Sequence, residues 1–220
     1  HCGGRTRSII GTHILRRMGL PVVGLQNGTM GWLLAGYELQ WGSEAERLPE
    51  PSQGGRAAAD EFAAQLAAED GVPYMSVPEL QDRMGRTGEE TFYLVDVRTA
   101  EEYEAGHIPG SAWFPGGQAV QRTDEVVAVR MGTVVLACDG RARATVTASW
   151  YRQMGLPNVY ALCGGVTAWA EQGLPLETGW PAVVPAGLEE ARANAGVIAP
   201  QELRLALGSP QEPVVVDLET

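Results

Sequence analysis

Short apolar runs alternate with helical patterns through the middle of the chain. "FYLVDV" (residues 92–97), "TVVLAC" (133–138) and "VYAL" (159–162) are almost wholly apolar and lack polar alternation. Such runs predict strands buried on both faces. "ARATVTASWYRQMG" (142–155) predicts a helix stopped by Gly155, with Pro157 just beyond. "GVTAWAEQG" (165–173) predicts a shorter helix ended by Gly173, and "VPELQDRM" (77–84) another short helical stretch. The alternation implies an α/β fold, a parallel sheet with helices on both faces. Ligands in such folds sit at the carboxyl ends of strands, and Cys138 closes one of them.

The pattern repeats. "CGGRTRSIIGTHILRRMGLP" (2–21) lies over "CDGRARATVTASWYRQMGLP" (138–157) at an offset of 136, with nine of 20 positions identical. After one inserted residue, Asn158, "VVGLQNGTMGWLLAGYEL" (22–39) follows "VYALCGGVTAWAEQGLPL" (159–176). "PVVVDLET" (213–220) resembles "FYLVDVRT" (92–99), and each follows a short helical stretch. The expected organisation is a tandem array: the back half of one unit at 1–42, a linker with an Ala-rich helix at 43–73, a complete unit at 74–178, a second linker at 179–196, and the start of a further unit at 197–220. In the first linker Phe62 and Leu66 are spaced as a narrow docking stripe. Trp32 and Trp169 occupy the same place in their copies and are expected in the core.

Composition narrows the function. Apolar residues make up 45% and charged residues 20% of the 220 positions, as in a soluble globular protein. No apolar run approaches the ~20 residues that span a bilayer, so no membrane partner is expected. The formal charge of −11 argues against nucleic acid as a partner, although a local site can still be positive. Three cysteines, Cys2, Cys138 and Cys163, fit neither a zinc motif nor a disulfide framework. Reduced thiols and a cytoplasmic location are expected, with no metal and no cofactor. Cys163 is replaced by Gln26 in the other copy and reads as a tolerant position.

The chemistry concentrates in two loops of the form Cys-x4-Arg. One comprises Cys2, Gly3, Gly4, Arg5, Thr6 and Arg7. The other comprises Cys138, Asp139, Gly140, Arg141, Ala142 and Arg143. Gly4 and Gly140 let the backbone curl so that successive amides face one point. The following helix adds its positive end, and the arginines add charge. A Cys at such a spot is expected to be acidified and nucleophilic. Cysteine phosphatases carry one more residue between Cys and Arg, a ring wide enough for three phosphate oxygens. A ring shortened by one residue suits a single terminal sulfur.

These motifs carry a resemblance. "DVRTAEEYEAGHIPGSAWFP" (96–115), the loop "CDGRARA" and "LCGGVTAW" (162–169) stand in the order found in the rhodanese family of sulfurtransferases. The resemblance implies a rhodanese-like sheet repeated in tandem. It also implies a sulfane sulfur moved from thiosulfate, or a similar small anionic donor, to cyanide or a thiol through a cysteine persulfide. Cys138 and Cys2 would be the nucleophiles and the remaining loop residues the binding groups. Asp96, Arg98 and His107 would brace the fold. A homo-oligomer is compatible with the incomplete end units. The chain departs from the family in having Arg5 and Arg141 where Gly is common. Asp139 stands where the first copy has Gly3, and Ala144 where it has the hydroxyl of Ser8. The first loop is therefore the better suited to sulfur transfer. A catalytically decayed binding or regulatory module is the alternative reading. A cysteine phosphatase or arsenate reductase, suggested by "HCGGRTRS" (1–8), stands behind it.

Overall fold

The computed structural model describes residues 1–4, 6–42, 50–86, 88–182, 187–210 and 212–216. They form two compact units, His1–Trp180 and Pro181–Thr220. In the first, α1 (Thr6–Arg17), α2 (Gly28–Leu34) and α3 (Gln53–Asp70) precede β1 (Tyr74–Met75), α4 (Val77–Met84) and β2 (Phe92–Asp96). Then come α5 (Ala100–Ala105), β3 (Ala112–Trp113), α6 (Gly116–Gln121), α7 (Thr123–Val126), β4 (Thr133–Ala137), α8 (Ala142–Gln153), β5 (Val159–Leu162) and α9 (Gly165–Glu171). The second unit carries α10 (Leu188–Asn194) and α11 (Pro200–Ala206).

The five strands form one parallel sheet in the order β1-β5-β4-β2-β3. β4 is buried along its whole length and divides the core by its two-residue period. Val134, Leu136 and Cys138 join one apolar cluster, with Tyr151 of α8, Ala119 of α6 and Ile10 of α1. Val135 and Ala137 join the other, with Leu80 of α4 and Trp169 of α9. Helices therefore cover both faces, because an all-apolar central strand needs cover on both sides.

Two-residue strands β1 and β3 have no sequence signal of their own. Each is defined by pairing, β1 with β5 and β3 with β2. Helix starts are chemically explicit by contrast. Ser76 with Glu79, and Thr99 with Glu102, form capping boxes at α4 and α5. Ser52 caps α3, and Gly71 ends it at φ 64°.

Segments 22–25 and 212–216 form no strand, although 22–25 correspond to β5. β5 is a strand because β1 and β4 flank it. Val23, the counterpart of Tyr160, is 91% exposed instead. Trp32 differs from the core position expected for it. It is 41% exposed, against 4% for Trp169, and donates to the Glu38 carbonyl while packing on Tyr37. Residues 1–42 still dock on the middle segment. Ile10 enters its core, and Arg17 pairs with Glu69 and with Asp70 at 2.7 Å. No helix among the described residues is long and apolar enough to cross a membrane.

Candidate active site

Cys138 follows β4 directly, at the carboxyl end of the sheet. Its loop turns into α8 without a left-handed residue at the fourth position. Arg141 has φ −131°, so a side chain there costs no backbone strain. Its guanidinium lies over the Tyr74 ring, 5.7 Å from the centroid. Thr145 donates to the Arg141 carbonyl at 2.8 Å and shares a 3.1 Å hydrogen bond with Tyr74. The loop's exit into α8 is thereby fixed.

A second helix holds the loop from the other side. Gly164 and Gly165 are both left-handed, at φ 69° and 57°, and turn the start of α9 onto the loop. Val166 N–H donates to the Cys138 carbonyl at 2.7 Å, and the Thr167 hydroxyl donates to the Asp139 carbonyl. A Cβ on Gly165 would lie 2.0 Å from the Cys138 oxygen, so only glycine fits. With these carbonyls held by α9, the amides of Gly140 and Ala144 are left to the sulfur, where they favour its charged form.

The first loop has the same construction. Thr29 N–H donates to the Cys2 carbonyl at 2.9 Å and Met30 N–H to the Gly3 carbonyl at 3.1 Å. A Cβ on Gly28 would lie 2.1 Å from the Cys2 oxygen. The left-handed pair is here Asn27 and Gly28, each at φ 56°. The second and sixth following amides, those of Gly4 and Ser8, again favour the charged sulfur. Thr6 opens α1. Arg5 lies outside the described residues. His1 shares a 3.2 Å hydrogen bond with Thr29, which ties it to the helix supporting the loop.

The two thiols nevertheless differ. Cys2 is half-buried and drops to about 7. The Ser8 hydroxyl, 3.5 Å from the sulfur, is the main cause, helped by the Ser8 and Gly4 amides and the charge of Arg7. Cys138 is fully buried, and desolvation pushes its thiol up, aided by the charge of Asp139. Cys138 thus departs from the acidified state expected of both loops. Burial outweighs two amides and Arg143 where no hydroxyl contributes, because Ala144 replaces Ser8.

Arg143, expected to contact substrate, is paired with two carboxylates. Glu102 receives both terminal nitrogens at 2.6 Å, and Asp139 lies 2.8 Å from one of them. The pairing holds Glu102 far below the usual carboxylate range, at about 2. Glu102 received no role in the sequence reading, although its capping box with Thr99 is legible there. That box fixes the carboxylate at the start of α5, within reach of the loop. The mouth of the loop opens into a cleft of about 700 Å³, with Glu50, Arg56 and Asp60 on the side of α3.

Asp96, Arg98 and His107 make their hydrogen bonds with one another and with neighbours around β2 and α5. Asp96 is buried at the end of β2. It accepts from Arg98 Nη2 at 2.7 Å and from the Arg98 backbone N–H at 3.0 Å. Arg98 also donates to the Gly106 carbonyl at 2.6 Å. His107 stacks on Tyr103 at 3.7 Å and hydrogen-bonds its carbonyl through Nδ1 at 2.9 Å. Cys163 is exposed.

A profile described as the rhodanese-like domain matches residues 76–172. A sulfurtransferase of Allochromatium vinosum is 35% identical over 97 residues, covering 44% of this chain and 87% of that protein. The chain belongs to the rhodanese family. A thiosulfate sulfurtransferase of Pseudoalteromonas translucida is 29% identical over 80 residues, 36% of this chain and 74% of that one. The crystal structure of a thiosulfate sulfurtransferase from Pseudomonas aeruginosa matches with a TM-score of 0.74 and 42% identity. That match covers 96% of this rhodanese-family chain and 38% of the Pseudomonas protein, so the chain spans well under half of its length.

Proposed function

We propose that this chain transfers sulfane sulfur through a cysteine persulfide, with Cys2 as the principal carrier. The observation that carries the reading is the matched pair of short loops. In each, two inward amides meet a single sulfur while a helix start holds the opposite carbonyls. Such a ring stabilises one anionic sulfur atom. The Cys2 thiolate attacks the outer sulfur of thiosulfate. The thiosulfate S–S bond breaks as the new one forms, and sulfite leaves with the bonding pair. A thiol or cyanide then removes the outer sulfur, giving two half-reactions. No external oxidant or reductant is needed.

Intact mass after thiosulfate treatment tests this. One added sulfur mapped to Cys2, absent in Cys2→Ser and discharged by cyanide, is the expected result. An unmodified Cys2 overturns the reading. A second reading applies to the middle segment alone. Full burial of Cys138 and the carboxylate pairing of Arg143 favour a rhodanese-like binding or regulatory module there. Sulfur transfer undiminished in Cys138→Ser supports it.

A further inference from the structure

The two loops differ in charge at their mouths, and the difference has a residue behind it. Gly3 of the first loop has no side chain. Its counterpart, Asp139, places a second carboxylate on Arg143, which Glu102 already neutralises with a two-pronged pair. Arg141 of the same loop brings the four rim charges to zero, so the sign of the cleft is set by its flank. The same cleft is flanked by Glu50 and Asp60 against Arg56. Asp139 is half-exposed at this rim, while its backbone carbonyl is held by Thr167. Its position is thus set by the loop, and its carboxylate, paired with Arg143, lines the cleft.

We propose that Asp139 is a specificity determinant that bars dianionic sulfur donors from Cys138, leaving that loop to donors of low charge such as alkyl persulfides. The inference rests on the sulfur-transfer reading and sorts the chain's two loops by donor class. Transfer from an alkyl persulfide is balanced in the same way as from thiosulfate. The Cys138 thiolate takes the outer sulfur, and the alkyl thiolate leaves with the electron pair of the broken S–S bond. What differs is the charge brought to the rim. Thiosulfate carries two negative charges into a field that is already negative, whereas an alkyl persulfide carries one on the sulfur being transferred.

The test uses the full chain in a Cys2→Ser, Cys163→Ser background, with Cys138 as the sole thiol. Iodoacetate and iodoacetamide alkylate the same thiolate but differ by one charge, so their rate ratio reads the field at the sulfur and cancels any change in ionisation. Asp139→Asn is expected to raise the iodoacetate-to-iodoacetamide ratio about fivefold at low salt. The gain should shrink at high salt. Sulfur uptake from thiosulfate should rise by about the square of that factor, ~25-fold, because the donor carries two charges. Asp139→Gly, the residue of the first loop, should act in the same direction. An unchanged ratio in Asp139→Asn overturns the proposal, as does a rise confined to Asp139→Gly, which would assign the effect to backbone freedom. Thiosulfate loading of Cys2 in the unmodified chain is measured alongside. Its failure would reject the sulfur-transfer reading, whereas the alkylation ratio judges Asp139 independently.

Discussion

Ser8→Ala isolates the group with the largest acidifying effect on Cys2. At pH 7 a thiol titrating at about 7 is about half thiolate. A hydrogen bond to a charged sulfur is worth roughly a factor of ten in acidity, which moves the midpoint of the variant to about 8. Its thiolate then falls to about one tenth at pH 7. The remaining thiolate is more nucleophilic, by about threefold for a Brønsted slope near 0.45. The two effects oppose each other, so Ser8→Ala should react about twofold more slowly at pH 7 and about threefold faster above pH 9.5. The two pH profiles therefore cross, near pH ~7.5 on these figures. The assay is iodoacetamide alkylation of Cys2 between pH 5.5 and 10 (approximate limits bracketing both midpoints), quantified by peptide mapping. An unshifted midpoint, or a variant slower at every pH, would refute the assignment of the Cys2 acidity to Ser8.

Other substitutions probe the scaffold. Gly28→Ala should collapse the first loop, since its Cβ would meet the Cys2 carbonyl at 2.1 Å. Persulfide formation at Cys2 should be lost while circular dichroism stays near that of the unmodified chain. Ile10→Ala removes the buried contact of α1 with the middle segment, and chemical denaturation should show a loss of about 2–4 kcal/mol. Arg98→Ala leaves Asp96 buried without its partner, for an expected loss of about 3–5 kcal/mol. Glu102 titrates lower in the folded chain than in the unfolded one. Its stabilising contribution is therefore complete above the ordinary carboxylate value and disappears as pH falls toward about 2. Melting temperatures measured from pH 6 downward should fall less steeply in Glu102→Gln, with a difference of about 1 kcal/mol or less because the pair is partly solvated.

The strands and helices of the middle segment were legible because their signals are local. Apolar runs mark β2, β4 and β5, and Gly155 and Gly173 mark helix ends. Both Cys loops were legible because the chain repeats them. β1 and β3 were not legible, since two residues carry no periodicity and only pairing defines them. Segment 22–25 shows the converse: a strand-like sequence stays irregular when no neighbour completes its hydrogen bonds. The direction of the difference between Cys2 and Cys138 was legible in Ser8 against Ala144 and Gly3 against Asp139. The burial that raises Cys138 was not, because α8 and the sheet impose it. The role of Glu102 was hidden for a related reason, as its partner Arg143 lies 41 positions away.

The helix start that grips the first loop comes 27 positions after the thiol it shapes. The groups that acidify Cys2 all lie within residues 4–8, but the clamp on its carbonyl arrives only with Thr29. A protease nick between α1 and α2 that let Thr29 drift away would therefore loosen the loop while leaving its sequence intact.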